Sequence, residues 1–388
     1  MYGIDICKIS RIKDLFDKYP KFLDEYFTEN EINYIRKKKN PYERMAGIFS
    51  AKEAIIKANE IDKTFPPKEI EIFHENKKPY GKFRGQKYYL SISHERDYAI
   101  AFAKLIENYI EIEKEFINIM PKRDSNSHKG TFGKIGIVGG SFGMTGSVYL
   151  SSNACLKSGA GLVYNVVDKE IFEIMSIKYI EPIAKTFDNN DDLIKFLDSL
   201  DVVAIGPGMG TKKEKIEILK RVLKIQKPLL IDADGLNNLV LIDEPFKNRK
   251  DFQTVLTPHP LEFSRLTGLD PNFINNNNNR EKLAKEYAKK NKVVLVLKGS
   301  ATVVTDGDRI YINKSGNPGM ASAGSGDVLT GIISALLKIF PSFEAAKVGV
   351  YIHGLAGDFA KNSLGEVSMR ARDIINFLPM AFKSIDKN

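Results

Sequence analysis

Ser315–Gly331 reads SGNPGMASAGSGDVLTG. Small residues fill its first half, where a bulky side chain would hold a ligand away from the backbone. Gly324-Ser325-Gly326-Asp327 then opens an apolar run, Val328-Leu329 and Ile332-Ile333, at helical spacing. The spacing predicts a glycine turn feeding a helix N-terminus. Unpaired N–H groups and the positive dipole end would meet there, which suits an anionic oxygen or phosphate. Asp327 stands where its carboxylate reaches a hydroxyl beside that phosphate, or else it caps the helix. The glycines alone do not separate the two readings.

Outward from this stretch the chain repeats one pattern. Ile135–Val138, Leu162–Val167, Val202–Ile205, Leu229–Ile231, Val255–Leu256 and Val293–Leu297 are near-continuous apolar runs, mostly separated by helical stretches. Such runs predict an α/β fold, a parallel sheet with helices on both faces. Sites in these sheets lie beyond the carboxyl ends of the strands. GPGMG (206–210), DADG (232–235), TPHP (257–260) and Lys298-Gly299 are therefore expected to converge with GSGD on one crevice. Singly, each has a plainer reading: a tight turn, a strand end, or a rigid corner around His259. His353 reads as a packing residue, and Asn275–Asn279 as a low-complexity surface loop.

Taken in order, these motifs are specific. SHKGTFGKIGIVGGS, SGAGLV, GPGMG, DADGLN, TPHPLEF, LKGSATVV, GNPGMASAGSGDVLTG and HGLAGD run from about Ile117 to Lys383. The segment resembles the ADP-dependent NAD(P)H-hydrate dehydratase family, of ribokinase-like three-layer α/β/α fold. That resemblance implies repair of the hydrated nicotinamide ring of NADH and NADPH (NADHX and NADPHX). A nucleotide, ADP with ATP as the alternative donor, phosphorylates the ring hydroxyl, and phosphate is then eliminated. It implies Asp327 as catalytic base. Lys298, Gly299, Ser300, Ala301, Thr302 and Gly326 would hold the nucleotide, and Ser147, Gly208, Gly210, His259 and Asp327 the hydrated cofactor. Ser147 stands where the family usually has alanine, and SAGSGD where it has TGGTGD. A small-molecule kinase of the same fold is the alternative.

The first hundred residues differ in character. Gly3-Ile4-Asp5-Ile6 reads as a buried strand carrying one acid, which needs a partner such as a metal ion. Thr28 and Glu31 form a capping-box signature at a helix start. A second helix runs through Tyr42–Ala58, and Lys52, Glu53 and Lys57 on it exceed what solubility asks. Alternation predicts strands at Glu69–Phe73, Tyr88–His94 and Tyr98–Ala103, with a turn at Lys77–Pro79. The result is a small α+β module.

GIDI, FTENE, FSAKEA with Lys57-Ala58, and SISHERDYAIAFA resemble the holo-acyl-carrier-protein synthase family of 4′-phosphopantetheinyl transferases. The resemblance implies Asp5 and Glu53 as Mg²⁺ ligands on coenzyme A and Lys57 as a catalytic cation. The acceptor would be a serine of acyl carrier protein, which the basic run Arg36–Lys39 would steer. Family glycines after the catalytic helix are replaced by Asn59–Lys63, the GKP turn by Lys77–Pro79, and a frequent arginine by Ile48. A non-catalytic oligomerisation module is the alternative.

Composition bounds the rest. The 388 residues favour two domains, expected at 1–107 and 129–388 with a connection at 108–128. Lys104–Met120 in and before that connection reads as charged and weakly helical. Net charge is +9, spread as +4 over residues 1–107 and +5 over the remainder, without the concentrated basic face of a nucleic-acid binder. Cys7 and Cys155 form no zinc or disulfide framework, which predicts a reducing compartment. The start has no leader pattern and no apolar run reaches the roughly 20 residues of a membrane span. The expectation is a cytoplasmic homo-oligomeric enzyme without nucleic-acid or membrane partners.

Overall fold

Gly3 decides how the first hundred residues pack. A Cβ there would lie 2.1 Å from the Ala54 carbonyl oxygen, so only glycine lets this strand press against the helix Pro41–Ala58. In a computed structural model, which describes all residues except 20, 60–65, 76–77, 107–109, 276 and 387–388, the chain divides into two units, Met1–Glu111 and Ile112–Asn388.

The first unit has one antiparallel sheet. Its order is Tyr2–Lys8, Tyr98–Leu105, Gln86–Glu95, Lys78–Phe83, Glu71–Glu75. The helix Pro41–Ala58 packs on the first two strands through Ala51, Ala54, Ile55 and Ala58. The expectation of a buried Gly3–Ile6 strand needs correction. Side chains alternate across a strand, so Gly3, Asp5 and Cys7 turn to the helix while Ile4 and Ile6 remain exposed. The segment read as a turn at Lys77–Pro79 contributes Lys78 and Pro79 to the strand Lys78–Phe83; Lys77 lies outside the described residues. Glu60–Lys63 lie outside them too.

The Thr28 capping box is formed as expected, and Glu31 does more than cap. Its carboxylate accepts from the N–H of Thr28 at 2.8 Å and of Ile72 at 2.7 Å. It also pairs at 2.8 Å with Lys52, both side chains being fully buried. Lys52 further donates to the carbonyls of Tyr26 and Pro67. This lysine is a structural tie among three segments, which explains one of the charges on its helix.

The second unit is the α/β fold that the apolar runs predict. Its nine-stranded sheet runs Ile310–Ile312, Val303–Thr305, Val294–Leu297, Thr254–Leu256, Leu229–Ile231, Val202–Ile205, Lys134–Val138, Leu162–Val166, Ile183–Lys185. All neighbours are parallel except the pairings at the Ile310 edge. One face packs Val203, Ile205, Leu229, Ile231 and Leu295 against the helices Asn190–Asp198, Lys213–Val222, Pro260–Thr267 and Asn277–Asn291. The alternate residues Val202, Ala204, Leu230 and Val294 are equally buried. They turn to the other layer, built of Thr145–Lys157, Ser325–Leu336, Ser342–Leu364 and Ala371–Ile385. Each buried Leu, Ile or Val contributes about 1.5–3 kcal/mol.

Two readings are corrected in this unit. Asn275 and Asn277–Asn279 are not loop residues: Pro271–Asn275 and Asn277–Asn291 are helical, and polar asparagines open the longer helix, while Asn276 lies outside the described residues. Ile112–Met120 is not α-helical either. Its one regular turn is the short 3₁₀ segment Lys114–Phe116, because Phe116 is fully buried and stacks on Tyr351 with centroids 3.8 Å apart. The Tyr351 hydroxyl accepts from the Glu113 N–H, Lys347 pairs with Glu115, and the Asn118 N–H donates to Ile385. Those anchors fix an extended path that a helix would lose. No helix among the described residues is long and apolar enough to cross a membrane.

Candidate active sites

The strand Leu229–Ile231 ends in Asp232, and the geometry of the larger unit gathers there. Gly206, at the end of the neighbouring strand, has φ 129°, and a Cβ on it would lie 1.8 Å from the Asp232 carbonyl oxygen. Asp232 is almost fully buried. Lys298, at the end of Val294–Leu297, reaches its Oδ1 at 2.8 Å, and Thr330 Oγ1 donates to its Oδ2 at 2.7 Å. Lys298 also lies 3.9 Å from Glu262. Burial works against the Lys298 charge, but Asp232 and Glu262 overcome it and hold the ammonium above its ordinary value.

The helix Ser325–Leu336 delivers Asp327 to this cluster. Its N-cap is Gly324, at φ 88° with Leu150 and Ala371 closing over it, so a side chain there would be both strained and crowded. Asp327 is pushed up to about 6 by burial and by Asp232, against the hydrogen bond from Ser147 and the charge of Lys298. A Cβ on Gly326 would sit 3.3 Å from Lys298 Nζ, so the backbone of the first turn lies directly on the ammonium. First-turn amides have no intrahelical acceptor, and here they face one lysine. Behind the turn, part-buried His353 is 3.3 Å from Ser325 Oγ, and desolvation lowers its pKa to about 4. It is neutral packing, as expected.

The preceding loop is fixed from the side. Asp358 accepts from the Gly316 N–H and from Asn317 Nδ2. Gly208 packs on Met144 and Ser147, and the Gly210 N–H donates to Asp234. His259 caps the helix Pro260–Thr267, its Nδ1 accepting from the N–H groups of Leu261 and Glu262, and Glu262 returns a bond to the His259 N–H. Burial and Lys298 lower the His259 pKa, so the ring is neutral. Ser147 and Lys298 thus act on Asp327, Gly208 packs on Ser147, Gly326 lies against Lys298, His259 feels the Lys298 charge, and Gly210 is tied to Asp234. Ser300 and Ala301 are exposed in the turn after Lys298, and Thr302 closes that turn by bonding to Gly299. Arg280 braces it through the carbonyls of Leu297 and Lys298. Sequence reasoning gave no separate role to Asp232, Glu262 or Thr330. The acid in DADG and the glutamate three residues after His259 were the available signals.

In the first unit, Asp5 Oδ1 is 2.6 Å from Lys57 Nζ, and the Tyr26 hydroxyl donates to Glu53 Oε1 at 2.6 Å. Cys7, between these acids, is pushed up to about 11 by burial; Arg11 opposes the rise, and Asp5 and Glu53 add to it. Asp5, Glu53 and Lys57 therefore stand together. Among the described residues no three His, Cys, Asp or Glu side chains converge as a metal cage. Two carboxylates leave most of an octahedral Mg²⁺ shell to phosphates and water, which is the usual protein share. His94, singled out in the same motif, has its ring against Gly47 and a buried Nε2 without a hydrogen-bond partner among the described residues. Tyr26 had no local sequence signal.

Residues 135–380 match the family model described as NAD(P)H-hydrate dehydratase. The chain belongs to that family. Residues 1–103 match the model of the 4′-phosphopantetheinyl transferase superfamily. Among curated relatives, the chain is 39% identical to the "Bifunctional NAD(P)H-hydrate repair enzyme Nnr" of Moorella thermoacetica, over 69% of this chain and 52% of that one. It is 37% identical to the "ADP-dependent (S)-NAD(P)H-hydrate dehydratase" of Neisseria meningitidis serogroup B, over 64% of this chain and 84% of that one. The chain thus spans about half the length of the first curated relatives it matches. A solved ADP/ATP-dependent NAD(P)H-hydrate dehydratase from Bacillus subtilis, co-crystallised with ATP and Mg²⁺, superposes with a TM-score of 0.62. That match is at 28% identity, over 69% of this chain and 95% of that one. For this dehydratase-family chain the ribokinase-like architecture stands.

Proposed function

We propose that residues 129–388 of this chain restore NADH and NADPH from their hydrates at the expense of ADP. The observation that carries this reading is Asp327, a carboxyl held near neutrality beside the Lys298–Asp232 pair at a glycine-opened helix start. A base with that affinity takes the proton of the ring hydroxyl as the terminal phosphoryl of ADP passes to its oxygen, releasing AMP. The amides of Gly326 and Asp327 and the Lys298 ammonium face the oxygens of the moving group. Phosphate then leaves from the ring carbon as the neighbouring carbon gives up its proton, and the dihydronicotinamide double bond returns. Mg²⁺ accompanying the nucleotide would offset phosphate charge next to Asp232, Asp234 and Glu262. The names of both curated relatives above support the substrate, and that of the Neisseria protein supports ADP.

The first unit is proposed, within residues 1–107, to transfer 4′-phosphopantetheine from coenzyme A to a serine of acyl carrier protein. Asp5 and Glu53 are its magnesium ligands, and Lys57 lies across from them to meet phosphate charge. The resident ion would neutralise the pyrophosphate. Two buried free cysteines suit a reducing cytoplasm.

Recovery of NADH absorbance from hydrated NADH with ADP and Mg²⁺ tests the first activity. Intact protein is expected to restore it and Asp327→Asn to lose it; a folded intact protein that restores none, with ADP or ATP, would refute the reading. Mass addition to apo acyl carrier protein from coenzyme A tests the second, and an Asp5→Ala variant that still modified the carrier would sink the metal assignment.

A further inference from the structure

The parallel strands Leu229–Ile231, Thr254–Leu256 and Val294–Leu297 carry the Asp327 site at their carboxyl ends, where Asp232, His259 and Lys298 follow them. At their amino ends lies a separate cavity of about 340 Å³, with Thr254 and Val293 in its wall. Nothing in the chemistry above uses it.

Its charge is one-sided. Lys247, Arg249, Lys250, Lys290 and Lys292 line it, against Glu244 and Asp251 alone. Both carboxylates are already taken: Glu244 pairs with Lys247 at 2.8 Å and Asp251 with Lys292 at 3.1 Å. These pairs are exposed, so each is weak and a more highly charged anion competes for its lysine. Among the described residues no carboxylate pairs with Arg249, Lys250 or Lys290. Arg249 is only 8% exposed, and it donates to Thr254 Oγ1 and to the carbonyls of Ile225 and Lys227. Its charge therefore meets neutral acceptors only, and burial pushes its pKa down to about 10. A buried cation so placed favours an anion nearby.

The backbone here is also held against its preference. Glu244, Phe252 and Lys292 have φ of 43°, 57° and 53°, in the left-handed region that residues with a side chain avoid. Such strain gathers at ligand clamps, and Ala233 beside Asp232 shows it at the other end of the sheet, with φ 48°.

We propose that this cavity is a second anion site, taking a small phosphate-bearing ligand between Lys250 and Lys290 with the Arg249 charge in its wall. A surplus of three positive charges suits a pyrophosphate or a phosphate ester, which carry about two or more negative charges at neutral pH. The volume is at the small end of ligand pockets. An enclosed cavity, rather than a basic stripe, suits a small anion and not a nucleic-acid backbone.

Lysine acetylation of the full chain, read by mass spectrometry residue by residue, tests this with inorganic pyrophosphate or AMP at constant ionic strength. Either ligand is expected to slow acetylation of Lys250 and Lys290 several-fold, and to leave Lys282, exposed on the same helix as Lys290, unchanged. In Lys250→Glu the ligand concentration that half-protects Lys290 should rise roughly tenfold. Both lysines are exposed, so the substitution leaves the core intact. A lower midpoint for AMP supports a nucleotide as the ligand, and a lower one for pyrophosphate an inorganic anion. Unprotected Lys250 and Lys290, equal protection by sodium chloride, or an unmoved midpoint in Lys250→Glu would each overturn the site. None of these readouts depends on repair, so the site stands or falls apart from the dehydratase reading.

Discussion

Thr330 donates its hydroxyl at 2.7 Å to the Asp232 oxygen that Lys298 leaves free. Both oxygens of this buried carboxylate are thereby taken by partners from different elements. The Asp232 charge acts on Asp327 and adds to the rise that burial causes. Asp232→Asn removes that charge, so the acidic limb of the pH–rate profile, expected near pH 6, should move down by about one unit. An unmoved limb would show that burial alone sets Asp327.

Asp327 links activity to stability with opposite signs. The folded carboxyl keeps its proton up to about pH 6, while the unfolded one has a value of 3.8. The folded state binds more protons between those values, so stability falls as pH rises through that window. Asp327→Asn should therefore abolish turnover yet stabilise the protein by ~1–3 kcal/mol above pH 6, with little change below pH 4. Denaturant unfolding at pH 4 and pH 7.5 checks this.

Lys52→Met should cost the first unit ~3–5 kcal/mol, because Glu31 would keep its charge in a buried site. Adding Glu31→Gln should return part of the loss, since it removes the charge while its single amide oxygen keeps the bond from one of the two N–H groups, Thr28 or Ile72. Urea unfolding of the two variants measures the difference. A double variant no more stable than the single would contradict the account.

Gly206→Ala should destabilise the second unit by at least ~2–4 kcal/mol. Its Cβ would collide with the Asp232 backbone rather than with a movable side chain, and φ 129° adds strain. Thermal melting should show the loss, and turnover should fall with it as Asp232 shifts.

The parallel strands were legible because helices cover both faces and leave continuous apolar runs. The helix after Gly324 was legible from its glycines and its apolar period. The antiparallel strands Val303–Thr305 and Ile310–Ile312 are three residues each, too short to show alternation. Lys78 and Pro79 read as part of a turn, yet they begin the strand Lys78–Phe83, at an end that pairs only with the outer strand Glu71–Glu75. In the site, Asp327 and Lys298 stood out by motif. Their electrostatic setting did not, since Asp232 meets Lys298 across 66 residues and Thr330 across 98. No local period encodes such pairings.

The stack of Phe116 on Tyr351 bears on where the second unit can be cut free of the first. A fragment starting at Lys129, where the sequence places the start of the second domain, would strip the ring from Tyr351 and take away the acceptor-seeking N–H of Glu113 and the carboxylate that pairs with Lys347. One starting at Ile112 keeps all three. Ile112–Met120, which reads as part of a connection between two units, belongs to the body of the second.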